Sequence, residues 1–278
     1  MAKLKFITRA DDAGSSHSAN LAICKVTKAG FIKNVSLMAP GLFIEEAACL
    51  LAHRKEICFG MHTTLNAEWD RVKWKPVLPV GQHSGLVDKD GYFLPDPSLF
   101  ADTKPPLETV MAEVNAQFER LRALGFDIRY IDSHMFPEMF IDGLDDAIRE
   151  FAQNKGLLDH MHYYTLPPGF MDFAANPSHP LRYLASIPPG QYFLVTHPSL
   201  YTDEMRQTGN ATVSGETIAK GRAQETKLFS GVPLRLMMKM AGAAGIRYDQ
   251  AEPQKRATVD DLRKSYQNST ANEKESGT

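Results

Sequence analysis

Four short apolar runs in this chain each stop at residues that bind metals or move protons, and helical patterning lies between them. Lys5 to Ala10 runs into Asp11-Asp12, and Ile57 to Met61 into His62. Ile128 to Ile131 runs into Asp132-Ser133-His134, and Tyr192 to Thr196 into His197. Alternating strand-like and helix-like segments mark βα units built on a parallel sheet. In α/β barrels the carboxyl ends of all strands gather on one face, where the active sites sit. Residues far apart in sequence thereby become neighbours.

The remaining elements follow from apolar spacing and caps. Ser15, Ser16 and Ser18 offer N-caps for a helix reaching about Lys28, which Gly30 ends. Asn34 to Met38 predicts a strand closed by Pro40-Gly41, and Ile44, Ala47, Ala48 and Leu51 stand at helical i, i+3, i+4, i+7 spacing. Further helices are expected over Leu107 to Leu124, stopped by Gly125, and over 143–154, 218–229 and 233–243. His160 to Tyr164 reads as a strand. Two stretches break the pattern, 67–106 (rich in Pro, Gly and Asp) and the Pro-rich 166–190. Loops as long as the first are usually lids or binding loops. Residues 1–250 form the expected domain, and 251–278, ending SYQNSTANEKESGT, read as a polar tail of disorder-prone composition.

Bulk properties exclude several classes. A chain of 278 residues with 43% hydrophobic content can bury a sizeable core. A net charge of −2, with Lys and Arg scattered, leaves no footprint for nucleic acid or an anionic membrane. No run approaches the ~18 apolar residues of a membrane span, and the N-terminal run meets charge too soon for a secretory signal. Cys24, Cys49 and Cys58 lack CxxC spacing and have apolar neighbours, so buried free thiols and a reducing, cytoplasmic setting are expected.

Each polar strand tip, taken alone, has an ordinary explanation. The Asp pair suits a helix cap and a turn, His62 a core histidine, His134 a turn cap, and His197 a strand end. Together they match a mononuclear hydrolytic site, in which three protein ligands leave open positions for water. Histidine and carboxylate donors suit zinc and other divalent ions. His53 and His83 are expected to face solvent. His160 and His162, alternating on their strand, suit packing or substrate contact better than a metal pair.

The same residues carry a family resemblance. Arg9 to Gly14 (RADDAG) resembles the "NADDFG" opening of the YdjC-like carbohydrate deacetylases, and Asn34 to Gly41 (NVSLMAPG) resembles "STSLMVNG". Gly60-Met61-His62 resembles "GLH", Asp90 to Phe93 "DGRF", and Asp132-Ser133-His134 the start of "DSHQHVH". His197-Pro198 with Arg222 and Glu225 resembles the late "HP…R..E" signature. The matches keep their order over roughly residues 4–240.

The resemblance implies an α/β fold, a distorted (β/α) TIM-like barrel with long inserted loops. It also implies one divalent metal ion (zinc, magnesium or another) held by Asp12, His62 and His134. Asp11 would be the catalytic base and His197 the general acid. Asp132 and Arg222 would orient these groups or serve as plain ion-pair residues. Trp69, Trp74 and Tyr92 would stack on a sugar ring or pin the long loop. Two departures stand out: Phe136 and Glu138 replace family histidines, and Thr63, Thr64 and Asn66 replace residues expected to line the pocket. The implied activity is removal of N-acetyl groups from a small amino sugar or chito-oligosaccharide, with a homodimer among the implied assemblies. Hydrolysis of a non-sugar amide or ester is the nearest alternative, and a catalytically silent binding barrel the next. An isomerase-type phosphate barrel lacks its Gly-rich loop.

Overall fold

The computed structural model of the chain describes residues 3–79, 81–170, 173 and 179–263. Strand β1 (Leu4–Ala13) is the axis of the sheet. Its first half, Leu4 to Ile7, lies between β6 (Gly190–Thr196) and β7 (Ala243–Ile246). Its second half exchanges β7 for β2 (Asn34–Leu37), with Arg9 opposite Asn34. Then come β3 (Cys58–Thr63), β4 (Ile128–Ser133) and the two-residue β5 (Leu158–Asp159). The seven strands follow the order β5-β4-β3-β2-β1-β6, with β7 on β1, and every pairing is parallel.

The sheet curls strongly into a half-barrel that is not fully closed, so the expected barrel is present in open form. Edge strands β5 and β6 flank the opening. The chain after β5 reaches across it, where the Phe193 N–H donates to the Thr165 carbonyl at 2.7 Å and the Tyr164 and Phe193 rings lie 5.6 Å apart.

Helices cover the sheet. Helix α1 (His17–Lys28) buries Ala19, Ala22, Ile23 and Val26, the spacing of one helical face, and Ser16 caps it by accepting from the Ala19 N–H. It is followed by α2 (Ile44–Leu51), α3 (Phe100–Thr103), α4 (Leu107–Ala123) and α5 (Leu144–Lys155). Helices α6 (Pro180–Ser186), α7 (Gly215–Ser230) and α8 (Val232–Met240) complete the set among the described residues. Gly60 sets the approach of β3 to β4, because a Cβ there would lie 2.2 Å from the Tyr130 ring.

Several expectations change. His160 to Tyr164 is no strand: the Asp159 side chain caps a 3₁₀ turn over His160–His162 and ends the pairing at Asp159. Strand β7, Ala-Ala-Gly-Ile, was not expected. Its glycine is required, since a Cβ on Gly245 would lie 1.9 Å from the Phe31 carbonyl oxygen. Helix α6 forms inside the Pro-rich 166–190 stretch. His83 is buried and Cys49 is exposed, whereas Cys58 is buried as expected. Residues 251–263 are tied down: Arg256 bonds Asp145 at 2.6 Å and Asp159 at 2.7 Å, and Leu262 is buried. The rest of the expected polar tail, 264–278, lies outside the described residues. No described helix is long and apolar enough to cross a membrane.

Candidate active site

The site begins with a bulge. Between Ala10 and Ala13 the β1–β2 register slips, since Val35 and Leu37 oppose residues three apart on β1. Asp12 sits there at φ 67°, a left-handed conformation that Asp tolerates better than most side chains. Strict alternation would send successive side chains to opposite faces. The bulge instead brings both Asp11 and Asp12 to the cleft at the carboxyl ends of the strands.

The two carboxylates then meet different partners. Arg9, two residues earlier on β1, grips Asp11 with Nε and Nη2 at 2.6 Å each, and its Nη1 lies 3.1 Å from Asp132. All three are buried, so each charge needs this pairing to offset its lost hydration. Asp12 binds Arg222 of α7 through Oδ2 at 2.8 Å. Its other oxygen, Oδ1, is buried with no hydrogen-bond partner. Burial pushes the Asp12 carboxyl up, but Arg222 and then the nearby histidines hold it well below the usual carboxylate range.

The orphan oxygen faces two imidazoles. His62 Nε2 and His134 Nδ1 each lie 3.7 Å from Asp12 Oδ1 and 3.2 Å from each other. Three buried ligand atoms turned toward one another, one of them the unpartnered Asp12 Oδ1, are what a bound cation organises, so this set fits a divalent metal. The far nitrogens are fixed by carboxylates. His62 Nδ1 bonds Asp132 at 2.6 Å, and His134 Nε2 bonds Glu68 at 2.9 Å. Such partners orient ligating histidines and raise their basicity. Ser36 Oγ donates to the second Asp132 oxygen at 2.8 Å. Burial opposes a charge on His62, yet Asp132, then Asp11, raises its pKa to about 9. A cation binding there must displace a proton.

His197 ends β6, half exposed, with Nε2 4.0 Å from Asp11 Oδ2. Glu225 fixes that strand end by accepting from the His197 N–H and the Thr196 hydroxyl, both at 2.5 Å. Arg222 and Glu225, three apart on α7, share the face turned to the cleft.

Five strand-tip candidates, Asp11, Asp12, His62, His134 and His197, thus come together, with Asp132 and Arg222 against them. Of the aromatics, Trp69 lines the cleft. Trp74 is buried beneath it, donating to the Asn66 carbonyl at 2.7 Å, and Tyr92 lies away from the cleft with Lys75 over its ring at 4.6 Å. Thr63, Thr64 and Asn66 are fully buried and line no part of it. Arg9 and Glu68 were not anticipated. Arg9 did leave a signal, a cation inside an apolar strand two positions before a carboxylate. Glu68 left none, because the long loop has no period. His160 is buried with Nδ1 2.7 Å from the Tyr248 hydroxyl, and among the described residues it joins no metal-holding group.

Comparison with known proteins places the chain in a family. The model of the YdjC-like protein family matches residues 5–239. The chain belongs to that family. A carbohydrate deacetylase of Thermoanaerobacter pseudethanolicus is 25% identical over 72% of this chain and 82% of its own length. A carbohydrate deacetylase of Danio rerio is 30% identical over 54% of this chain and 46% of its own. A chitooligosaccharide deacetylase of Enterobacter sp. strain 638 is 27% identical, over 54% and 56% respectively. In fold, the chain matches the crystal structure of a proposed cellobiose-phosphate cleavage protein from Enterococcus faecalis V583. The TM-score is 0.69 at 18% identity, over 88% of this chain and 98% of that one. The named relatives point to a hydrolase of the carbohydrate deacetylase kind.

Proposed function

We propose that this protein is a metal-dependent hydrolase that removes the N-acetyl group from a small amino sugar or chito-oligosaccharide. The observation that carries the reading is the unpartnered Asp12 Oδ1, faced by one nitrogen from each of His62 and His134. One divalent cation on these three residues would lower the pKa of water from 15.7 to about 7 and polarise the acetyl carbonyl.

The chain's own groups divide the proton work. Asp11 takes a proton from the attacking water, and Arg9 aims that carboxylate by holding both its oxygens. Asp12, one residue on, is committed to the cation, so adjacent carboxylates hold different roles. His197, at the exposed rim, hands a proton to the departing nitrogen. Trp69 offers a ring face at the mouth for the sugar.

Elemental analysis of the purified protein, combined with acetate release from N,N′-diacetylchitobiose and from a panel of non-sugar acyl amides, tests the reading. A bound divalent ion with acetate released from the disaccharide is expected. Release from the non-sugar amides alone would move the substrate class, and a metal-free protein with no hydrolysis would end the proposal.

A further inference from the structure

The cleft that holds the cation ligands also has a long apolar side. Beyond His134 the chain turns through two consecutive left-handed residues, Met135 at φ 54° and Phe136 at φ 51°. Left-handed backbone is disfavoured for a non-glycine residue. Here it presents both side chains to the cleft, with Met135 41% exposed. The Phe136 ring meets Tyr164 edge-on at 5.8 Å, and Tyr164 meets Phe193 at 5.6 Å. Val195 continues the surface. The whole cleft has a volume of about 740 Å³, within the usual range for small-molecule sites.

Position on β6 orients this wall relative to the chemistry. Phe193, Val195 and His197 are alternate residues of one strand and its tip, so they line the same face at increasing height. His197 serves the leaving amine at the rim. An acyl chain directed down the strand from that end would meet Val195, Phe193 and the rings packed on them. Arg9, whose guanidinium lies 4.9 Å over the Phe193 ring, links this floor directly to Asp11.

We propose that Phe136, Tyr164 and Val195, floored by Phe193, form an apolar acyl subsite, and that the protein prefers amides whose short acyl chain is longer than acetyl. This rests on the amide-hydrolase reading above. The reaction keeps its balance: water adds to the acyl carbon, the C–N bond breaks, and a carboxylate and an ammonium leave. Phe136 is the specificity-determining residue, since it stands where the family pattern carries a histidine.

The test uses N-acetyl-, N-propionyl- and N-butyrylglucosamine. Affinity is measured by calorimetry on the Asp11→Asn protein, and kcat/KM on the unmodified protein. Burial of each added methylene should tighten binding about fourfold and raise kcat/KM in the same order. Phe136→Asn, which suits the left-handed backbone and removes the ring, should abolish that gradient. Hydrolysis of the acetyl substrate with affinity flat or falling along the series would overturn the subsite and leave the hydrolase reading standing. An affinity gradient without hydrolysis of any member would uphold the subsite and sink the hydrolase reading. A gradient unchanged in Phe136→Asn would remove Phe136 from the account.

Discussion

The half-barrel has two unlike flanks. On the β1–β4 side every strand delivers a polar group, and the groups interlock: Arg9 to Asp11 and Asp132, Asp132 to His62 and Ser36, Asp12 to Arg222. On the β5–β6 side the opening is filled by rings, with His160, Tyr164 and Phe193 in mutual contact. His160 belongs to that side in character as well, because burial, then the charge of Arg9, pushes its pKa well below the usual imidazole value and keeps it neutral. The contrast teaches where sequence change is tolerated. A network of buried charges fails when one member is removed, because its partner is left unpaired. An apolar wall can be resized at modest cost. The two histidines missing from the family pattern, at Phe136 and Glu138, both lie on or beside the second flank.

Breaking the polar flank should have the largest effects. His62→Ala should lose the metal ion and all measurable deacylation together, read by elemental analysis and acetate release. Retention of stoichiometric metal would contradict the ligand assignment. Asp11→Asn should keep the ion yet slow turnover by about 10²–10⁴. An unchanged rate would remove Asp11 as base. Asp132→Asn leaves His62 in place but removes its charged partner, and metal affinity should weaken about 10- to 100-fold in a competition titration with a chelator.

A smaller effect probes the frame that holds this flank. Gly60→Ala forces β3 away from the Tyr130 ring, whose hydroxyl lies 2.9 Å from Ser36 Oγ, and should cost about 1–3 kcal/mol in denaturant unfolding. Wild-type stability in that variant would show that the strands part without strain. The smallest effect belongs beside the second flank. Burial pushes the Glu138 carboxyl up from 4.5 to about 7, and the residue bonds Ser133 with its other oxygen unpartnered. The folded chain thus holds that proton more tightly than an unfolded one. The stabilisation is complete below 4.5 and is lost as pH rises through about 7. Glu138→Gln should therefore show a smaller fall in Tm between about pH 6 and pH 8 than the unmodified protein, and an equal fall would refute the assignment.

Legibility in the sequence divides along the same line. The polar tips were readable because a strand period ends abruptly in Asp or His, and four such ends have one geometric solution on a parallel sheet. The Asp11-Asp12 pair was readable as a site, although nothing in its pattern announced the bulge that lets both face the cleft. Glu68 was invisible, because it is placed by loop bonds such as Asp70 N–H to the Gly209 carbonyl at 2.9 Å, between segments 139 residues apart (209 − 70). Strand β7 was hidden for a different reason: its close approach to Phe31 demands glycine, which erases the strand pattern. Trp74 and Tyr92 show the converse, aromatic residues conspicuous in sequence that the fold uses for packing and for a cation contact.

The central claim is that a single cation sits among Asp12 Oδ1, His62 Nε2 and His134 Nδ1. Anomalous diffraction from crystals equilibrated with zinc measures this directly. The account predicts one strong peak about 2.0–2.2 Å from all three atoms. A peak at any other cluster, or none among these three atoms, would contradict it.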